Sequence, residues 1–301
     1  MKRVVSISIG SSQRDHRATV EVLGTDFLVE RIGTDGDIHR AIQLIEELDG
    51  EVDVFGLGGI DLYLSGKGDR RYILKSALPI VKAAKKTPIV DGFRVKDTIE
   101  RDVVNFLNSE CGISLKGKCV FLVSAMDRLG MAEAFQGLDS KIIIGDLMFG
   151  LGIPMPIYSI ESLHKIAIIM MPIVSRLPFK VLYPTGNKQN TNRERFTKYY
   201  NQSEIIAGDF LYIKRHMPTN LKDKIILTNS VTDQDIVELR RRGVRLLVTS
   251  TPELDGRSFG TNVLEAIIIS LSKKSPDELS QEEFKAIARE AGLTYRVEYL
   301  N

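Results

Sequence analysis

Hydrophobic positions in the first part of the chain alternate between short β-branched runs and helical repeats. Residues 4–9 form an apolar run closed by Gly10, and residues 19–23 and 27–32 flank a Gly-Thr-Asp turn. Residues 38–48 place apolar side chains three or four positions apart behind Asp37, which predicts a helix with Asp37 as its N-cap. A further apolar run follows at residues 52–57. The pattern predicts a β-hairpin joined to a β-α-β unit.

From residue 119 onwards, strand-like runs of four to six apolar residues alternate with helical repeats. Before that point we predict helices at residues 75–86 and 97–107, with a strand at 88–90 between them. The predicted later strands are 119–123, 141–144, 179–182, 205–207, 224–227 and 244–248. The predicted later helices are 160–174, 192–200, 233–241, 260–271 and 277–291. Such alternation is typical of parallel β-α-β crossovers.

The predicted fold class is therefore α/β. Residues 1–115 would form an N-terminal mixed α/β domain of the kind that binds substrate. Residues 116–301 would form a Rossmann-like, three-layer domain around a parallel sheet, with the last helix packing back on the first domain.

Composition and charge exclude several classes of function. The 301 residues include 41 Lys and Arg against 39 Asp and Glu, a net charge of +2, which argues against nucleic acid as the main partner. Two cysteines without CxxC spacing indicate a reducing compartment. The strongest apolar run, residues 166–174, is far shorter than the ~20 residues that span a bilayer. We expect a cytoplasmic protein with a small-molecule substrate and no membrane partner, and leave homo-oligomer formation open. The four histidines lack metal-ligand spacing, so no metal is predicted.

The turn after residues 119–123 is a candidate nucleotide site, because ligands of open parallel sheets bind at the carboxyl ends of the strands. A GxGxxG fingerprint aligned on Gly130 has Ala125 and Asp127 in place of its first two glycines. A carboxylate at Asp127 would face the pyrophosphate, so Asp127 could instead cap the following helix. Asp146 follows Ala125 by 21 residues. That is close to the spacing of a ribose-binding acid, although Asp146 could also cap a helix.

Polar clusters also follow other predicted strands, among them Gly208-Asp209 after residues 205–207. Together these clusters indicate a pocket rim, although each alone has a capping interpretation. The residues predicted to bind NAD or NADP are Ser124, Arg128, Gly130, Asp146, Asn229, Thr249, Thr251 and Pro252. The residues predicted to bind substrate are Ser11, Ser12, Arg14, Asp61, Arg257 and Ser258.

Lys96 and Asp91 are the candidate catalytic residues. They lie within six residues of each other at a junction between predicted elements. A partly buried lysine can act as an acid or a base because desolvation removes its charge readily. The alternative is a solvated lysine near a helix start.

Two segments carry a resemblance to a known family: KGKCVFLVSAMDRLGMAEA at residues 116–134 and VRLLVTSTPELDGRSFGTNVLEA at residues 244–266. With the small domain before them, they resemble bacterial proteins labelled quinate or shikimate 5-dehydrogenase-like, over most of the chain. The resemblance implies a cofactor-binding sheet and a Lys–Asp catalytic pair at the domain cleft. Lys96 and Asp91 are the nearest positions to that pair, and residues 124–130 replace the family's glycine-rich turn.

We therefore predict an NAD(P)-dependent oxidoreductase acting on a hydroxy acid or cyclic polyol. The alternative is a non-catalytic nucleotide- or metabolite-binding protein on a decayed dehydrogenase fold, suggested by the missing glycines. A phosphate-binding hairpin of the sugar-kinase and actin type is disfavoured, because Ser6 and Ser8 fill the strand that would carry the Mg²⁺-positioning acid.

Overall fold

A five-stranded sheet organises the first part of the chain. The computed structural model describes residues 1–68, 70–178, 192–254, 257–293 and 295–301, and the side chains of Leu254 and Arg257 lie outside the description. The elements up to residue 109 are β1 (Lys2–Ser8), a 3-10 turn (Ser12–Arg14), β2 (His16–Val22), β3 (Thr25–Gly33), α1 (Ile38–Leu48), β4 (Val54–Gly58), β5 (Tyr63–Ser65), β6 (Arg71–Ile73), α2 (Leu78–Val81), β7 (Ile89–Val90), α3 (Phe93–Asp97) and α4 (Ile99–Ser109). The sheet order is β2-β3-β1-β4-β7, and the β2–β3 pair is antiparallel while the other pairs are parallel. Strands β5 and β6 form a separate hairpin.

A second, six-stranded sheet organises the rest of the described chain. Its elements are β8 (Cys119–Leu122), α5 (Leu129–Gly137), β9 (Lys141–Ile144), α6 (Asp146–Gly150), α7 (Ile160–Val174), α8 (Thr197–Gln202), β10 (Ile205–Gly208), α9 (Phe210–His216), β11 (Ile225–Thr228), α10 (Asp233–Arg241), β12 (Leu246–Thr249), β13 (Glu253–Leu254), β14 (Arg257–Ser258), α11 (Thr261–Ser272), α12 (Gln281–Glu290) and β15 (Arg296–Tyr299). The order is β15-β12-β11-β10-β8-β9, parallel except for β15. Strands β13 and β14 pair with each other. The predicted α/β class is confirmed.

The apolar side chains form layers because successive strand residues point to opposite faces of a sheet. One face of the second sheet, including Phe121 and Ile206, packs against helices α6, α8, α9 and α10. The other face, including Val120 and Leu122, belongs to a core that also holds Val4 and other residues of the first sheet. Helices on both faces make the second sheet a three-layer unit.

Helix α11 connects the two sheets. It leaves the second sheet after β12–β14 and packs on β1, β4 and β7 of the first sheet. Asn262 at its start donates a hydrogen bond from Nδ2 to Ser6 Oγ at 2.6 Å. A Cβ at Gly56 would lie 2.8 Å from Asn262 Nδ2, so a glycine in β4 allows this close approach. The last helix, α12, packs on α11 and reaches α4 through Lys285.

Local patterns predicted most elements but missed several. The hairpin, α1 with its Asp37 cap and the strands around residues 119–123, 141–144, 205–207, 224–227 and 244–248 are confirmed. The predicted helix at 75–86 is reduced to α2, and the predicted helix at 97–107 is confirmed as α4. Helices α3, α6 and α9, hairpin β5–β6 and edge strand β15 were not predicted. The predicted strand at 179–182 lies outside the described residues.

The domain boundary near residue 115 stays a prediction, as do the cytoplasmic location and homo-oligomer formation. Across the described ranges, no helix has both the length and the apolar character needed to cross a membrane.

Candidate functional site

A cleft of about 220 Å³ opens where the carboxyl ends of the two sheets face each other. In the first sheet, β1 lies between β3 and β4; in the second, β8 lies between β9 and β10. Strand order reverses at such a position, and the connecting segments leave a crevice there. The cleft is lined by residues that follow these strands, among them Gly10, Gly59, Asp127 and Asp209.

Lys96 of α3 is buried in this cleft between carboxylates of other elements. Its Nζ donates to Asp61, which follows β4, and lies 3.8 Å from Asp127 Oδ2, which follows β8. Burial alone would lower the pKa of Lys96, but Asp61 and Asp127 outweigh it and raise the pKa above its usual value. Lys96 is therefore held as a proton-bearing cation.

Arg128 forms a second charged group beside the first. Its side chain is 1% exposed and forms an ion pair with Glu100 of α4, which is 0% exposed. The guanidinium also lies 3.5 Å from Asp127 and 3.4 Å from Asp209. Ser250 after β12 donates to the same Glu100 oxygen at 2.9 Å. The network connects α4 with the carboxyl ends of three strands in the second sheet.

Asp127 stands between these two cations and has one free oxygen. Burial raises the pKa of Asp127 to about 6, against the opposing effect of Arg128 and Lys96. Its Oδ1 is buried and has no hydrogen-bond partner in the part of the chain that the structure describes. Buried acceptors are normally satisfied, so this oxygen is an unused recognition position.

An apolar cavity of about 140 Å³, which we call the chamber, lies beside the cleft. It is bounded by the β5–β6 hairpin, the turn after β8, α6 and α7. Asp61, Asp127 and Tyr212 line both the cleft and the chamber, so the two cavities are neighbours.

Asp146 contacts the turn after β8, whereas the sequence predicted that it binds a ribose. Its carboxylate accepts hydrogen bonds from the backbone N–H groups of Ala125 and Met126, both at 2.8 Å. Burial raises the pKa of Asp146 to about 7, although these two bonds oppose the shift. In a dinucleotide fold the N–H groups of this turn would bind the pyrophosphate. Here an internal carboxylate occupies them.

Some of the other predicted cofactor residues line the cleft or the chamber, and the rest contact only other parts of the protein. Arg128 and Asn229 line the cleft, and Ser124 lines the chamber. Gly130 packs on the backbone, since a Cβ there would lie 2.6 Å from the Asp97 carbonyl oxygen.

The loop after β12 is held by internal hydrogen bonds. Thr249 Oγ1 donates to the Thr251 carbonyl and Thr251 Oγ1 to the Asn229 carbonyl. Neither threonine, nor the adjacent Pro252, is among the described residues of the cleft wall. The two threonines at this edge are therefore used internally, and dinucleotide binding stays a prediction.

Three of the predicted substrate residues lie in the cleft wall: Arg14, Asp61 and Ser258. Ser11 caps the 3-10 turn, and the Ser12 N–H donates to Asp35 Oδ1 at 2.9 Å. The side chain of Arg257 falls outside the described residues.

The predicted Lys96–Asp91 pair does not form as a contact. Asp91 lines the cleft, but its carboxylate accepts from the backbone N–H groups of Leu62, Tyr63 and Phe93 at 2.7–3.1 Å. The carboxylate that Lys96 contacts is Asp61. From the sequence, Asp61 is predicted to bind substrate, and Asp127 either caps a helix or stands where a nucleotide fingerprint has glycine. Asp209, which follows β10 as Asp127 follows β8, is predicted to lie in the pocket rim but is given no role of its own.

Two protein-family models together match almost the whole chain. The family model described as Domain of unknown function (DUF8754) matches residues 94–300, and Domain of unknown function (DUF8753) matches residues 3–91. None of the curated proteins matches the sequence. Among the described residues, no cluster of three or more His, Cys, Asp or Glu side chains is arranged to hold a metal ion.

Solved structures show only distant likeness. A galactofuranose-binding protein is 12% identical, covers 97% of this chain and 99% of its own, and has a TM-score of 0.37. A sugar ABC transport substrate-binding protein from Bordetella parapertussis is 11% identical, with 97% and 81% coverage and a TM-score of 0.38. A phosphoglycerate oxidoreductase from Vibrio cholerae is 8% identical, with 82% coverage of each chain and a TM-score of 0.29. At these scores the likenesses carry no argument about function.

Proposed function

The chain belongs to the family described as Domain of unknown function (DUF8754), and we propose that it binds a small molecule with several hydroxyl groups in the cleft. The observation that carries this proposal is the buried Asp127 Oδ1, which no described residue satisfies. A group that donates a hydrogen bond to this oxygen would recover the cost of burying it.

A hydroxyl group matches the cleft because it can donate and accept at once. Asp127 and Asp209 offer acceptor oxygens, while the Lys96 ammonium offers N–H donors. Asn229 Nδ2 already donates to Asp209 Oδ2 at 2.8 Å, which orients that carboxylate. Adjacent hydroxyls of one polyol would therefore meet acceptors and donors side by side.

The proposal is tested by binding of hydroxylated probes. Quinate, shikimate and myo-inositol are titrated by calorimetry, with thermal unfolding as a second readout. Asp127→Asn keeps the shape of the side chain but removes its charge. A hydrogen bond to a charged group contributes about 1.5–3 kcal/mol, so affinity should fall by up to about 10- to 150-fold.

Glu238→Gln is the control. Glu238 lies on α10 and is ion-paired with Arg241 and Arg242, and none of these three residues is among the described residues of the cleft wall. Probe affinity should not change in this variant. Binding of no probe, or equal binding by Asp127→Asn, would contradict the proposal.

The second candidate is NAD(P)H-dependent reduction of a carbonyl group to a hydroxyl on the same ligand. The observation in its favour is the Lys96–Asp61 pair, because the Lys96 ammonium would donate the proton that the carbonyl oxygen takes up together with the hydride. Bound NAD or NADP would supply hydride chemistry. The N–H groups that a dinucleotide needs are occupied by Asp146, so the cofactor remains a prediction. A rise in melting temperature with NAD(H) or NADP(H) would support this candidate, and no shift at millimolar cofactor would reject it.

A further inference from the structure

The chamber has the character of a binding cavity for an apolar group. Its wall is mainly aliphatic, thioether and aromatic, including Leu74, Leu147, Leu163 and Phe149. The polar residues in the lining are Ser124, Asp61, Asp127 and Asp146. Three methionines, Met126, Met170 and Met171, also line it. Thioether sulfur makes favourable contacts with aromatic rings, and methionine adapts its shape to what it contacts.

The size of the chamber favours a single ring. Its volume is about 140 Å³. An apolar cavity of about 150 Å³ in another protein stays dry and binds benzene. The chamber is therefore large enough for one six-membered ring.

Asp127 and Ser124 in the chamber lining each have a buried oxygen without a partner among the described residues, and of the two only Ser124 does not also line the cleft. Ser124 is 8% exposed and follows β8, and its Oγ is buried without a hydrogen-bond partner among the described residues. Ser124 lines the chamber. A buried hydroxyl in an apolar wall is costly unless a partner meets it, so it points to a polar substituent on the occupant.

We propose that the chamber binds a benzene-sized ring carrying a hydroxyl group, with Ser124 Oγ as the hydrogen-bond partner of that hydroxyl. Because Asp61, Asp127 and Tyr212 line both cavities, this ring belongs to the ligand whose other polar groups lie in the cleft. That last connection rests on the proposed function; the chamber itself does not.

Benzene and phenol are probes that test binding in the chamber without involving the cleft. Both should raise the melting temperature, and phenol should bind about 3- to 10-fold more tightly than benzene through one added hydrogen bond. Ser124→Ala should abolish the preference for phenol and leave benzene affinity within about twofold. This variant should fold, because removing an unsatisfied buried hydroxyl is neutral or stabilising.

Ser270→Ala is the matched control. Ser270 is 6% exposed, its Oγ also lacks a partner among the described residues, and it lies on α11 away from the chamber wall. It should keep the phenol preference. In a second variant, Ala167→Leu, the added side chain would fill the chamber from α7 and should abolish binding of both probes.

The outcomes separate this inference from the proposed function. Absence of benzene binding, or a phenol preference that survives Ser124→Ala, would overturn the inference even if polyols bind the cleft. Phenol binding without polyol binding would support the chamber and reject only its connection with the cleft. Adenosine binding that Ser124→Ala abolishes would identify a nucleotide site and overturn the inference.

Discussion

Removing Arg128 tests whether the buried ion-pair network holds the two parts of the chain together. Arg128→Met keeps the length of the side chain but removes the guanidinium. Glu100, 0% exposed, then loses its charged partner, and Asp127 and Asp209 lose a cation at about 3.5 Å. Breaking a buried pair costs about 3–5 kcal/mol because it leaves an uncompensated buried charge.

The expected change in melting temperature follows from chain length. At about 2.1 cal/mol/K per residue, unfolding 301 residues carries an entropy of about 0.6 kcal/mol/K. A loss of 3–5 kcal/mol therefore lowers the melting temperature by about 5–8 °C. Calorimetry and urea unfolding measure the two quantities independently.

A double variant and a surface control make the result specific. Glu100→Leu combined with Arg128→Met removes both charges and should be less destabilised than Arg128→Met alone. Arg101→Met removes the same kind of side chain from a partly exposed pair with Glu133 and should cost under about 1 kcal/mol. A cost for Arg128→Met as small as that control, or no recovery in the double variant, would refute the reasoning.

Two further predictions concern stability. Burial raises the pKa of Glu265 from 4.5 to about 8. Between these two pH values the folded state keeps a proton on Glu265 that the unfolded state releases, so the contribution of Glu265 to the unfolding free energy falls as pH rises from about 4.5 to 8. The unfolding free energy of Glu265→Gln, measured against the native chain across that range, should lack this slope, and equal slopes would contradict the assignment. Gly130→Ala should destabilise by about 1–3 kcal/mol, since its Cβ would meet the Asp97 carbonyl at 2.6 Å. Gly137→Ala in the same helix has open space and should be neutral or stabilising, so equal effects in urea unfolding would be the failing result.

Much of the fold could be predicted from local patterns because the forces behind it are local. Apolar spacing and a capping carboxylate define α1, and short β-branched runs define the parallel strands. The elements that were missed have weak periodicity of their own. Strand β15 is exposed or half-buried along its length and depends on pairing with β12. Helix α9 is seven residues long and begins at a cap, Asp209, that was assigned only to a pocket rim.

The candidate site was predicted in its residue types and position, but its contacts were not. Sequence alone determined that charged and polar residues follow the strands, where a parallel sheet opens a crevice, and it named Lys96, Asp61 and Arg128 among them. Only the tertiary structure decided which groups meet: Lys96 with Asp61, and Arg128 with Glu100. It also decided that Asp146 would bind the turn in place of an external anion. These partners lie 20 to 35 residues apart in the chain, so their contact depends on how α3, α4 and the second sheet pack, which periodicity does not encode.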